Sequence, residues 1–202
     1  MRFNADCALC LLRRHIETAR GVGTDEQVTA FTKDLMRLFA DGPEDMAAPW
    51  FTPEITRLFT AHFGLADDRY AQEKADSNRY FLERMDTIRA MMGESGDPLQ
   101  AGLQWAILGN YIDFSALRGE VSLQKLDDML ATAESIALDA ENYATFFQQL
   151  KAAKSLLYIT DNCGEIVFDR LCAEAIQKKF PNLSITFCVR GGPVHNDATR
   201  ED

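Results

Sequence analysis

Ser155-Leu-Leu-Tyr-Ile-Thr160, followed directly by Asp161-Asn162-Cys163-Gly164-Glu165, is the stretch that decides the fold. Its unbroken apolar run predicts a short β-strand covered on both faces, and the residues after it predict a turn into a helix. A second run, Ser184-Ile-Thr-Phe-Cys-Val189, leads in the same way into Arg190-Gly191-Gly192-Pro193-Val194-His195-Asn196-Asp197. In open α/β sheets ligands bind at the carboxyl ends of parallel strands. The two strand ends therefore predict one binding site.

A helix is predicted between the two strands, ending at Phe180-Pro181-Asn182. Strand, helix and strand then form a parallel βαβ unit with the usual right-handed crossover. We expect an α+β or α/β protein, with a helical bundle at residues 1–153 and the start of a Rossmann-like α/β domain at residues 154–202. Two strands make an incomplete sheet, so we expect this domain to be truncated.

The segment before residue 154 has helical periodicity almost throughout. Asp6 is predicted to cap the first helix, and Thr24 with Gln27 to form a capping box for the second, which Asp41-Gly42-Pro43 ends. Further helices are predicted over 52–64, as one long helix over 67–92, and over 98–110, 122–137 and 139–153.

Composition limits the classes of function. The 202 residues carry a net charge of −10, without a basic block, so nucleic acid is not an expected partner. There is no apolar run long enough to span a membrane and no secretory signal at the start, so a membrane partner is not expected either. Five cysteines without a framework spacing indicate reduced thiols. These features predict a cytoplasmic protein, and they leave the oligomeric state open.

Asp161, Asn162 and Asp197 are the candidate metal ligands. Carboxylate and amide oxygens suit Mg²⁺ or Mn²⁺, and loops after adjacent parallel strands can converge on one cation. The alternative is that these residues only cap the helices that follow them.

Arg190, Gly191 and Gly192 are the candidate phosphate-binding residues. Glycines let backbone N–H groups approach an anion, and an arginine adds a charge-assisted contact. Helix N-termini expected near Glu165 and Asp197 would add positive dipole ends. The loop is not a Walker motif, because no Gly-Lys-Ser/Thr follows.

The two C-terminal motifs, 161–169 and 189–199, resemble those of the metal-dependent damage-control phosphatases, a family long known as a domain of unknown function, with an ARMT-like fold. The resemblance extends to Cys7-Ala-Leu-Cys10 and to 109–114, so it covers nearly the whole chain. It implies a divalent cation, held by Asp161, Asn162 and Asp197, and small phosphorylated metabolites as substrates. The cysteine pair implies one branch of the family, and Asn110 and Asp113 are carried over as candidate substrate contacts. Family members usually continue into a Lys-Gly-rich motif that this sequence lacks.

The sequence thus predicts a metal-dependent phosphatase for sugar phosphates or damaged phosphometabolites, using Mg²⁺ or Mn²⁺, with Co²⁺ or Ni²⁺ also possible. Glu165 or Asp161 is the candidate to orient the attacking water, and Asp161 could instead be a covalent nucleophile. Cys163 lacks the downstream arginine of a cysteine phosphatase loop. The alternatives are a non-catalytic metabolite- or nucleotide-binding module and a carboxyl methyltransferase, for which 161–164 would be a poor cofactor loop.

Overall fold

The computed structural model describes residues 2–43, 45–64, 70–111, 128 and 132–202. The chain divides into two compact units, Met1–Arg69 and Tyr70–Asp202. The boundary predicted at residue 154 lies inside the second unit. That the α/β segment is a domain of its own stays a prediction.

The first unit consists of α1 (Ala5–Arg20), α2 (Asp25–Asp41), a 3₁₀ turn (Ala48–Phe51) and α3 (Thr52–Phe63). Their apolar faces enclose a core rich in phenylalanine, as the helical periodicity predicts. Its buried members are Ala19, Val28, Phe31, Leu35, Phe51, Ile55 and Phe59.

The helix ends of this unit test the predicted caps. The capping box is confirmed: the backbone N–H of Gln27 donates to Thr24 Oγ1 and that of Thr24 to Gln27 Oε1. The predicted cap at Asp6 is wrong. Asn4 has the extended backbone that a cap requires and accepts the N–H of Cys7, which leaves Asp6 inside the first turn.

The second unit consists of α4 (Ala71–Leu82), α5 (Met85–Glu94), α6 (Pro98–Tyr111), a 3₁₀ turn (Ala133–Ser135), α7 (Ala140–Ala152), β1 (Ser155–Ile159), α8 (Glu165–Lys179) and β2 (Ser184–Cys188). The described residues thus contain eight α-helices and a two-stranded sheet, which confirms the predicted α+β class. None of the described helices has the length and apolar character needed to cross a membrane.

The single long helix predicted over 67–92 is wrong, because the chain breaks between α4 and α5 at Glu83 and Arg84. The Arg84 guanidinium lies 3.7 Å from the centre of the Tyr80 ring, and its Nη1 donates to the carbonyl of Tyr80 at 3.0 Å. Arg84 therefore satisfies a carbonyl of the last turn of α4, which stabilises the helix end. The apolar periodicity of the sequence does not reveal this break, because Ile88 and Met92 still pack into the same core as Phe81.

The prediction of a helix over 122–137 falls mostly outside the described residues. Its described end, 132–137, is the 3₁₀ turn and extended chain rather than α-helix.

Strands β1 and β2 pair in parallel, with Ser155 opposite Ser184 and Ile159 opposite Cys188, so the predicted strand–helix–strand order is confirmed. The prediction that β1 is covered on both faces is wrong. Leu156 and Tyr158 pack against the helices, whereas Leu157 and Ile159 are 61% and 74% exposed. The helices of the described chain cover one face of the sheet only.

Helices α6 and α8 pack closely because α6 presents two glycines to α8. A Cβ at Gly109 would lie 2.7 Å from Cδ2 of Phe168, and one at Gly102 would lie 3.2 Å from Cα of Cys172. This contact places Asn110, at the end of α6, beside the start of α8, where the predicted site begins.

Candidate metal and phosphate site

The two loops that follow β1 and β2 are joined by backbone hydrogen bonds. The N–H of Ala198 donates to the carbonyl of Asp161 at 2.7 Å, and the N–H of Cys163 donates to that of Asn196 at 2.8 Å. Asn162 and Asp197 face each other across an antiparallel bridge. The structure therefore brings the three predicted metal ligands together, although they are up to 36 residues apart in sequence.

One cation already contacts both carboxylates. Arg190 Nε lies 2.5 Å from Asp197 Oδ2, and Arg190 Nη2 lies 3.8 Å from Asp161 Oδ1. The Asp197 side chain is 11% exposed, whereas those of Asp161 and Arg190 are about half exposed. The carboxylates are thus spaced so that a single positive group reaches both.

The amide of Asn162 is oriented by neighbouring carboxylates. Its Nδ2 donates to Glu165 Oε2 at 3.0 Å and to Asp161 Oδ2 at 3.4 Å. Since an amide nitrogen does not ligate a hard cation, Oδ1 is the remaining ligand atom of this side chain. Two carboxylates and one amide oxygen form a donor set that fits Mg²⁺ or Mn²⁺.

Glu165 begins α8 and is occupied by hydrogen-bond donors. It accepts from the backbone N–H and Nδ2 of Asn162, and both of its oxygens lie 3.2 Å from Nδ2 of Asn110. Burial raises the pKa of its carboxyl, and the hydrogen bonds from Asn162 and Asn110 oppose that rise. Asn110 therefore contacts the residue that orients Asn162.

Gly164 makes the turn into α8 with φ of 90°, a conformation that disfavours any residue with a side chain. Its backbone N–H donates to Asn78 Oδ1 of α4 at 2.7 Å, and a Cβ there would lie 3.3 Å from Phe81 and Ser77. The sequence predicts the tight turn but gives no contact between Gly164 and Asn78. The signal was a polar group at helical spacing, Lys74, Ser77 and Asn78, on one buried face of α4.

Lys74 is buried and pairs with Asp202, whose Oδ2 lies 2.7 Å from its Nζ. Asp202 also accepts from the N–H and hydroxyl of Thr199, two residues after Asp197. Helix α4 therefore holds both ligand-bearing segments, through Asn78 on one and Lys74 on the other.

The cysteine next to the ligands is not activated. Cys163 is buried, and burial raises the pKa of its thiol to about 12. The thiolate form that a nucleophile needs is therefore suppressed at neutral pH.

The other predicted site residues are placed as follows. Gly191 is exposed and Gly192 half-buried in the bend after Arg190. Asp113 lies outside the described residues. A helix beginning near Asp197 is wrong for the described chain, because residues 195–202 form turns and bridges. The N–H of Ala198 donates to the other loop, and those of Asp197, Thr199 and Asp202 donate within their own segment. Cys7 and Cys10 lie on α1, half-buried and exposed.

The described residues contain no cluster of three or more His, Cys, Asp or Glu side chains spaced to hold a metal. The predicted ligand set contains only two such side chains, Asp161 and Asp197. Its third ligand is the amide oxygen of Asn162. Water and substrate oxygens commonly fill the remaining positions around Mg²⁺.

Comparisons with known proteins identify the family of this chain. Residues 3–202 match the damage-control phosphatase ARMT1-like domain, so the chain belongs to that family. It is similar in fold to the crystal structure of a DUF89 family protein from Pyrococcus horikoshii, with a TM-score of 0.74 and 24% identity, over 100% of this chain and 69% of that one.

Three relatives are similar in sequence. An uncharacterised protein of Methanocaldococcus jannaschii is 29% identical over 207 residues, and a damage-control phosphatase of Archaeoglobus fulgidus is 27% identical over 205. Both matches cover 100% of this chain, and 66% and 69% of those proteins. A damage-control phosphatase of Pyrococcus horikoshii is 30% identical over 166 residues, covering 82% of this chain and 55% of that protein. The chain thus spans about two thirds or less of the length of these relatives.

Proposed function

We propose that this chain carries the metal-binding part of a phosphatase that hydrolyses phosphate esters of small metabolites, such as sugar phosphates or damaged phosphometabolites. The observation that supports this most directly is the convergence of Asp161 and Asp197 on one cationic group, with the oriented amide of Asn162 beside them. Membership of a phosphatase family supports the reaction class.

Asp161, Asn162 and Asp197 would hold a divalent ion, with Mg²⁺ or Mn²⁺ preferred for oxygen ligands and Co²⁺ or Ni²⁺ as alternatives. Such an ion offsets the negative charge on phosphate oxygens during transfer. The backbone N–H groups of Gly191 and Gly192 would bind further phosphate oxygens.

Glu165 is proposed to act on the ligands rather than on the reacting atoms. Its oxygens accept hydrogen bonds from Asn162 and Asn110, so they are engaged in orienting these two amides. Groups that orient metal ligands in this way commonly contribute tenfold or more to affinity or activity. Asp161, half exposed at the mouth of the site, is the better candidate to contact the attacking water or the phosphorus.

Phosphate release from a panel of sugar phosphates, with Mg²⁺, Mn²⁺, Co²⁺ or Ni²⁺, tests this function. We expect release by the wild type and a loss of about 100-fold or more in Asp161→Ala and Asp197→Ala, because each variant removes several kcal/mol of charge stabilisation. Asp86→Ala is the matched control, since that carboxylate is 93% exposed on α5.

Equal rates in the wild type and both site variants would exclude this site. Metal binding by the wild type without phosphate release from any substrate would favour the non-catalytic metabolite-binding module instead.

A further inference from the structure

The Arg190 side chain lies against both carboxylates of the candidate site. Its Nε is 2.5 Å from Asp197 Oδ2, and its Nη2 is 3.8 Å from Asp161 Oδ1. A planar guanidinium suits this arrangement because its nitrogens point at several acceptors at once. The side chain thus occupies the space between the two carboxylates.

The backbone holds Arg190 at this position independently of its guanidinium. Its N–H donates to the carbonyl of Ala198 at 3.0 Å, and the residue pairs with Thr199 in a parallel bridge. The side chain itself is 46% exposed. The base of the arginine is therefore anchored beside Asp197, and the guanidinium can leave without disturbing the loop pairing.

The charges around Arg190 explain the contact. Asp161 and Asp197 carry two negative charges within reach of one guanidinium, and the Nδ2 of Asn162 adds a polar contact to Asp161. Without a positive group between them, the carboxylates would repel each other. Arg190 lowers the local charge from −2 to −1, as a monovalent cation would.

We propose that the Arg190 guanidinium is the built-in counter-cation of the metal-free site, and that a divalent ion enters by displacing it. This inference rests on the metal site of the proposed function. Arg190 then has two roles: it is the counter-cation of the metal-free site, and it contacts phosphate once the metal is bound. The second role is open to it because the displaced guanidinium stays next to the ion, where an anionic phosphate would bind. Metal loading then frees the arginine for the substrate.

Competition of this kind reduces the apparent metal affinity in proportion to the fraction of the time that the arginine leaves the site free. Half-exposed ion pairs are weak, but a short charge-assisted hydrogen bond to a largely buried carboxylate is stronger. We therefore expect removal of the guanidinium to tighten metal binding about three- to thirtyfold.

The test is the dissociation constant of Mn²⁺, measured by titration calorimetry on the metal-free chain, for the wild type and Arg190→Met. Arg170→Met is the matched control, because Arg170 is also half exposed and paired with a single glutamate, Glu174. It removes the same charge from the chain away from the ligands. Tighter binding by Arg190→Met, with the control unchanged, is the expected result.

Two further measurements guard against misfolding. Circular dichroism compares the metal-free variants, and the rise in melting temperature caused by Mn²⁺ reports affinity independently of heat signals. If Arg190→Met does not fold, Arg190→Lys replaces it. Lysine keeps the charge but loses the planar fork, so we expect a smaller gain in affinity in the same direction.

Unchanged or weaker Mn²⁺ binding by the folded arginine variant would overturn the inference, provided that the wild type binds and Asp197→Ala does not. Binding by neither the wild type nor the arginine variant would instead overturn the metal site of the proposed function. The two failures are therefore distinguishable.

Discussion

Asp169, one turn after Glu165 on α8, is a buried carboxyl that the proposed reaction does not use. Its Oδ1 accepts the hydroxyl of Tyr158 at 2.9 Å, and among the described residues its Oδ2 has no hydrogen-bond partner. Burial raises the pKa of this carboxyl to about 7, and the charges of Glu165 and Asp161 add to the rise. Asp169 is therefore a protonated acid over much of the acidic range.

The raised pKa predicts that Asp169 costs stability as the pH increases. Between about pH 4 and 7 the unfolded chain has released this proton and the folded chain retains it, so the free energy of unfolding falls with pH. The full loss is up to about 4 kcal/mol at 1.36 kcal/mol per pKa unit. Asp169→Asn stays neutral and can still accept from Tyr158, so we expect it to be more stable than the wild type above pH 7.

Urea unfolding of the metal-free protein at pH 5 and pH 8 checks this. The stability difference between Asp169→Asn and the wild type should grow with pH, whereas Asp86→Asn, at a 93% exposed position, should show no such trend. A difference that is independent of pH would mean that Asp169 is ionised in the folded state throughout.

At the residue level, the sequence is a better guide to the chemical groups of the candidate site than to the contacts that those groups make. Asp161, Asn162 and Asp197 were identifiable as neighbouring candidates because side chains with oxygen atoms follow predicted strands at the same edge of a sheet. Asn78 and Lys74 were not, because nothing in the spacing of a helix tells which distant loop its polar face contacts. The sequence predicts that Arg190 contacts phosphate. Its position against the carboxylates depends on the pairing of two loops that are distant in sequence.

At the level of elements, the contact between α6 and α8 depends on the absence of a side chain at Gly109. Phe168 lies against this glycine, stacks on Trp105 and packs against Phe81. These aromatic rings leave little room, so an added methyl group displaces them rather than filling a void.

Gly109→Ala is expected to destabilise the protein by about 1–3 kcal/mol through overpacking, despite the higher helix propensity of alanine. Because Asn110 is the next residue, the same change should shift the group that contacts Glu165 and lower the phosphatase activity proposed above. Chemical unfolding and phosphate release measure the two effects.

Gly93→Ala is the control, since a Cβ there meets nothing within 4 Å in α5. It should stabilise the protein by up to about 1 kcal/mol. If both alanine variants gained stability equally, the close approach of α6 and α8 would be refuted.

Element boundaries followed from the sequence where a local signal set them. Thr24 with Gln27 and Gly64 marked helix ends correctly because capping hydrogen bonds and left-handed backbone are local properties. The break at Arg84 could not be predicted, since it depends on a guanidinium that folds back onto Tyr80.

At the level of the whole molecule, the open face of the sheet is the main departure from the predicted α/β architecture. Leu157 and Ile159, the apolar residues on this face, are 61% and 74% exposed. The apolar run of β1 correctly predicts a strand. Covering both of its faces would require a second layer of structure on the sheet, which the described residues do not form. Neighbouring exposed apolar residues of this kind favour association.

We expect Ile159→Thr to reduce self-association at high protein concentration while changing the stability of the monomer little. Threonine keeps the β-branched shape that suits a strand, and the side chain it replaces is largely in water. Sedimentation velocity over a concentration series measures the effect. Val22→Thr, at a residue outside the sheet that is 52% exposed, is the control, and an equal effect of both changes would show that the sheet face is not involved.

The pairing of the two ligand loops through their main chains has a consequence for divergence among relatives. Peptide groups of Asp161, Cys163, Asn196 and Ala198 fix the distance between the loops, and these bonds are indifferent to most side-chain replacements. The bend at 191–195 lies between Arg190 and Asn196, whose main chains are hydrogen-bonded. Its residues can therefore be replaced without moving the candidate ligands apart. Under the proposed function, replacements in this bend would therefore change substrate preference and leave the candidate metal ligands in place.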